Sequence, residues 1–156
     1  MASEFMERQK GDFFRDMTSF GSLWWYFIFM LVFLISEKYA VFKESAMGLV
    51  IIYVIVVLIR TFYFKDRPKK YSYGNYIERL DASSFPSLHS SRATFLAMIL
   101  IKFFNNIFMS AFLVLLAIIV YYSRIRLKKH DFKDVLWGVV VGLIVYLIIS
   151  YLLGIL

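Results

Sequence analysis

The stretch Ser123 to Asp134, Ser-Arg-Ile-Arg-Leu-Lys-Lys-His-Asp-Phe-Lys-Asp, is a short polar island between two long apolar runs, and it holds one of only two histidines in the chain. His130 and Asp134 are four residues apart. On a helix they would share a face, close enough for the carboxylate to orient the imidazole. Arg124 precedes them, with Arg126, Lys128, Lys129 and Lys133 around. This set could activate a nucleophile inside a cationic pocket. It also suits a solvated basic loop that fixes membrane topology. The second histidine, His89, closes the tetrapeptide Pro86-Ser87-Leu88-His89. Ser83, Ser84 and Pro86 read there as a helix start, with a capping serine and a proline in the first turn. Arg60 lies near the end of an apolar run. A cation at that depth is costly, so it should face protein, water or an anionic ligand, unless it snorkels to the interface.

The elements that must hold these residues are membrane helices. Of 156 residues, 61% are hydrophobic and 20% aromatic, and the mean hydropathy is +0.69. Soluble domains carry roughly 45–50% apolar residues, so lipid must cover the excess. The formal charge of +7 sits in loops between apolar runs, where topology and anionic headgroups account for it better than nucleic acid does. The absence of cysteine excludes disulfides and thiolate chemistry. Met1–Phe5 reads as an expression scar, leaving residues 6–156 as one domain with no cleavable signal peptide expected. The expected fold is all-α and integral to the membrane, with about five transmembrane helices and an N-terminal amphipathic helix lying at the interface.

Glu7 to Phe20, with Phe13, Phe14, Met17 and Phe20 among polar residues, suits that interfacial helix. Spans are expected over about Leu23 to Ile35, Ala46 to Phe64, Pro86 to Phe104, Ile107 to Tyr122, and Val135 to Leu156. Glu37 to Glu44 reads as a charged turn, Lys65 to Pro86 as a long polar interfacial stretch, and Asn105-Asn106 as a tight turn. Gly138 and Gly142 form a small-xxx-small pair that permits close helix approach, within or between chains. Five spans put Arg60 to Pro68, Pro86 to Arg92 and Ser123 to Asp134 on the same side of the membrane. Both histidines and every unusual arginine converge there, which favours an active site over a basic loop.

These three clusters resemble the signature of the type 2 phosphatidic acid phosphatase superfamily, membrane lipid phosphatases related to vanadium haloperoxidases. The family's first motif is a lysine, six residues, then Arg-Pro; here Arg60 is followed after six residues by Arg67 and Pro68. The second, Pro-Ser-Gly-His, is Pro86, Ser87, Leu88 and His89. The third, Ser-Arg, five residues, His, three residues, Asp, is matched in full by Ser123, Arg124, His130 and Asp134. Arg60 replaces the lysine and keeps its charge while trading a compact ammonium for a planar fork. Leu88 replaces a glycine, which matters if the backbone there needs positive φ. The family's membrane members commonly have six spans.

The resemblance implies that His130 is a nucleophile forming a phosphohistidine, with Asp134 holding its tautomer, and that His89 protonates the departing lipid oxygen. Arg60, Arg67 and Arg124 would bind the phosphoryl oxygens, joined by Ser87, the Leu88 backbone N–H and the positive end of a helix. No cofactor and no metal are expected, because three arginines in the pocket would oppose a cation. The expected partners are membrane lipids and a lipid phosphate substrate, such as phosphatidate, phosphatidylglycerol phosphate or a polyprenyl phosphate or diphosphate. All Lys and Arg residues except Lys38, Lys43 and Lys102 fall on the site side, which puts the site at the cytoplasmic face of a multi-pass cell-membrane protein. The competing reading from another class is a non-catalytic membrane protein that binds anionic headgroups with the same arginines.

Overall fold

The helix with the most buried polar residues is α5, Leu88–Phe104. Ser90, Ser91, Arg92 and Thr94 are all buried on it, which a lipid-facing helix could not accommodate. It is therefore wrapped by protein. Around it pack α3, Tyr39–Phe62, α6, Ile107–Arg126, and α7, Phe132–Leu152, while α2, Leu23–Ile35, covers α3. A short helix α4, Tyr76–Ala82, and a helical stretch α1 over residues 14–19 complete the set. The structure, a computed structural model, describes residues 14–69 and 72–154, and these contain no strand.

Helices α3, α6 and α7 are long and apolar enough to cross a membrane, and α2 is a shorter apolar helix. Their outer faces expose residues such as Val50, Leu58, Phe108, Leu115, Ile144 and Tyr151. Their inner faces pack Ile52, Val56, Val145 and Ile149 against Phe95 and Ile99 of α5. The closest approach is between α5 and α7. A Cβ at Gly138 would lie 2.5 Å from the Ser87 carbonyl oxygen, and one at Gly142 would lie 2.6 Å from that of Ser91. The two glycines of α7 thus work inside the chain, letting α7 lie directly on the first two turns of α5.

Local chemistry explains the helix ends. Ser22 caps α2 through the Trp25 N–H, and Asn106 caps α6 through the N–H groups of Phe108 and Met109. Asn105 takes the left-handed conformation at φ 45° that ends α5, so Asn105-Asn106 is the expected tight turn. Several expected boundaries move. The second span begins at Tyr39 rather than Ala46, because Glu44 is not in a charged turn: it is buried in α3 and pairs through both carboxylate oxygens with Lys102 at 3.0 Å. The polar stretch before Pro86 is not all loop, since Asn75 caps α4 through the Glu78 N–H. Helix α5 starts after Ser87, not at Ser83, because the Ser87 side chain accepts the capping bond from Ser90 N–H. Helix α7 starts at Phe132, ahead of Val135, behind the N-cap Asp131. The readings of residues 1–13, Lys70, Tyr71, Ile155 and Leu156 lie outside the described residues.

Candidate active site

Three helix ends and two connections close on one cavity of about 360 Å³. The C-terminal turn of α3 brings Arg60 and the following segment brings Arg67. The first turns of α5 bring Leu88, His89 and Arg92, and the end of α6 brings Arg124. Lys129 and His130 come from the α6–α7 connection, Tyr53 from within α3, and Asp81 from α4. Of the residues singled out by sequence, Arg60, Arg67, Leu88, His89, Arg124 and His130 line the cavity. Ser87 and Asp134, both fully buried, lie behind its wall.

The connections are pinned by backbone hydrogen bonds. The Ser87 N–H donates to the Asp134 carbonyl at 3.0 Å, joining α5 to α7, and the Ser84 N–H donates to the Lys65 carbonyl at 2.8 Å. The Ser84 hydroxyl adds a bond to the Asp66 carbonyl at 3.1 Å. This fixes the Ser84 carbonyl oxygen, which lies 2.7 Å from His130 Nδ1. A carbonyl can only accept, so Nδ1 carries the proton and Nε2 keeps its lone pair. Asp134 stands 3.9 Å from the same Nδ1, beyond hydrogen-bond range. The bond that the spacing suggested for Asp134 is made by a backbone carbonyl instead, which no sequence pattern could have revealed.

Asp134 is held elsewhere. Its Oδ1 accepts from Lys65 Nζ at 2.6 Å, and its Oδ2 accepts from the Asp131 N–H at 3.0 Å within a capping box. Lys65 also reaches Asp131 Oδ2 at 2.6 Å. Burial works against the Lys65 charge, but its bonds to Asp131 and Asp134 outweigh this and raise its pKa. Partial burial pushes the Asp131 carboxyl up, and the Lys65 bond more than reverses that, leaving it below the usual value. A lysine that opens the polar interfacial stretch is thus the counter-ion of a buried carboxylate. The usable signal was its place inside the first motif.

The cavity is strongly cationic. Arg60 donates to the carbonyls of Leu80 at 2.8 Å and Pro86 at 3.0 Å, tying α4 to the segment before α5. A planar fork can do this and a lysine's single ammonium cannot reach as two fixed donors. Arg67 donates to the Asp81 carbonyl. The Nε groups of Arg60 and Arg124 are buried and have no hydrogen-bond partner among the described residues. Such groups are costly unless an anion meets them. Burial lowers the pKa of Lys129, helped by Arg67 and Arg124. Burial, then Arg124, push His130 down to about 2, against a weaker opposing effect of the Ser84 carbonyl. His130 is therefore neutral at pH 7. Leu88 is the first helical residue after the cap and has no positive φ, so the glycine of the family motif is not needed here. As first-turn amides of α5, the N–H groups of Leu88 and His89 have no intrahelical acceptor and remain available to an anion. Ser123 is buried and donates to the Val120 carbonyl at 2.7 Å, a structural role.

A family model described as the PAP2 superfamily matches residues 42–154. The chain belongs to the PAP2 superfamily. The crystal structure of LpxE from Aquifex aeolicus superposes with a TM-score of 0.77 at 25% identity, covering 92% of this chain and 86% of that one. No curated protein matches the sequence. Membership and fold together make this PAP2 chain an all-α membrane protein that is a phosphatase of lipid phosphates.

Proposed function

We propose that this PAP2 cavity hydrolyses the terminal phosphate of a membrane lipid through a phosphohistidine on His130, without a metal. The observation that carries this reading is the 2.7 Å bond from His130 Nδ1 to the Ser84 carbonyl. It leaves a neutral Nε2 lone pair on a residue that lines a cavity of arginines. In the first step Nε2 attacks phosphorus, the phosphorus–oxygen bond to the lipid breaks, and His89 gives a proton to the leaving oxygen. In the second, water attacks the phosphohistidine while His89 takes its proton, releasing phosphate and restoring both histidines. Arg60, Arg67, Arg124 and the first amides of α5, with Ser87 as their cap, stabilise the charge on the equatorial oxygens. Asp134, 3.9 Å from Nδ1, favours the positive charge that develops on the ring.

A lipid substrate follows from the site's position at the ends of apolar helices, where a headgroup enters while its tail stays in the bilayer. Phosphatidate, phosphatidylglycerol phosphate and polyprenyl phosphates or diphosphates all meet that requirement. We read five helices as crossing the membrane, α2, α3, α5, α6 and α7, with α1 and α4 at the surface and the cavity on the cytoplasmic side. The test is phosphate release in detergent with EDTA present, offering the three lipid classes side by side to the chain and to His130→Ala. Release from at least one lipid, lost in the variant, is expected. Binding of the lipids without any release would leave a headgroup-binding protein in place of the enzyme.

A further inference from the structure

Helix α1 and the turn that leads from it into α2 lie outside the family-matched residues 42–154, yet they reach the cavity wall. Thr18 Oγ1 accepts from Arg124 Nη1 at 3.1 Å. The Gly21 carbonyl accepts both Nε and Nη2 of Arg92, at 3.2 and 2.9 Å, and Arg92 Nη1 goes to the Tyr53 hydroxyl at 2.7 Å. Each nitrogen of the Arg92 fork is thus engaged by protein, which makes Arg92 a post between α5, α3 and this segment. The segment also lies flush on the turn that carries His89. A Cβ on Gly21 would stand 3.2 Å from the His89 carbonyl oxygen and 2.9 Å from Val120 Cγ1 of α6. Ring contacts fasten it at both ends: Phe14 packs edge-on against Tyr122 with centroids 5.5 Å apart, and Phe20 lies 5.0 Å from Trp25.

We propose that residues 18–21 are a strap that sets the phosphate-binding geometry of the cavity, with Thr18 the positioning residue for Arg124 and Gly21 the positioning residue for the His89 turn through Arg92. The physical logic is entropic. An arginine side chain carries many rotamers, and an anion that must order it loses affinity. Thr18 holds one end of the Arg124 fork in advance, while its Nε stays without a partner among the described residues. Tethering one end holds a side chain that already lines the cavity in place for an incoming phosphoryl oxygen. Gly21 keeps the strap close to α5 and α6, because with a Cβ there either the strap or its neighbours must shift.

This inference rests on the phosphatase reading, so its test uses two readouts. In detergent, Thr18→Val, Thr18→Ser and Gly21→Ala are compared with the unaltered chain for lipid turnover and, separately, for calorimetric binding of inorganic phosphate. Thr18→Val should weaken phosphate binding and raise KM about fivefold to tenfold, the scale of one lost intramolecular hydrogen bond, with kcat and thermal midpoint little changed. Thr18→Ser should restore both, and Gly21→Ala should weaken phosphate binding at least as much. Unchanged phosphate affinity in Thr18→Val overturns the proposal, as does a loss that serine fails to restore. If the unaltered chain binds phosphate but releases none from any lipid, the phosphatase reading falls, and the calorimetric comparison still decides the strap.

Discussion

Replacing Lys65 by methionine tests the least expected feature of the site. Asp134 has no exposed side-chain surface, and its Oδ1 meets Lys65 Nζ at 2.6 Å. Methionine keeps an unbranched apolar stem and removes the ammonium, leaving a buried carboxylate with the Asp131 N–H of the capping box as its remaining donor among the described residues. Breaking a buried pair by removing one partner costs about 3–5 kcal/mol. The Lys65 side chain is 28% exposed, so water partly screens the pair, and the lower end, about 3 kcal/mol, is the expected cost. For a chain of this size each kcal/mol moves the thermal midpoint by about 2–4 °C, so Lys65→Met should fall by roughly 6–12 °C in detergent. Adding Asp134→Asn removes the stranded charge, and the double variant should regain most of that loss. It should not regain activity. A full charge 3.9 Å from Nδ1 interacts with an imidazolium by about 4 kcal/mol at an effective dielectric of 20, before the opposing effect of Lys65 is counted. Phosphate release should therefore remain at least tenfold down in the double variant. A Lys65→Met midpoint equal to that of the unaltered chain, or a double variant no more stable than the single, would refute the counter-ion assignment.

Two further outcomes follow. Folded His130 resists protonation down to about 2, against an ordinary value of 6.5, so between those pH values the unfolded chain binds the extra proton. Stability contributed by this residue is complete above pH 6.5 and is lost on acidification, at about 1.4 kcal/mol per pH unit. Thermal midpoints from pH 7.5 to 5 should fall less steeply in His130→Gln, and parallel slopes would show that His130 is not buried in its neutral form. A cysteine placed at the exposed Tyr73 should escape an impermeant thiol reagent in intact cells and react after lysis. Labelling in intact cells would put the cavity on the outer face.

Much of the site was legible because its chemistry is carried by residue types at fixed spacings. Arg60, Arg67, His89, Arg124 and His130 could be named before any fold was known, and the structure brings all five to one cavity. The helix boundaries were less legible. Glu44 looked like loop because a charge in an apolar run is costly, and only its partner Lys102, 58 residues away, makes it tolerable. The α4 helix escaped because seven residues give too little periodicity to stand out from a polar connection.

The sequence alone determined a membrane helix bundle with both histidines among arginines, because composition fixes the solvent and motif spacing fixes which side chains can meet. Which group holds His130, what neutralises Asp134, and what orients Arg92 and Arg124 were decided only in three dimensions. Those partners are the Ser84 and Gly21 carbonyls, the Lys65 ammonium and the Thr18 hydroxyl. A backbone carbonyl exists at every position and a lysine or threonine is common on any surface. Their roles depend on where the chain brings them, and that is set by the packing of α5 on the glycines of α7 and of the strap on α5.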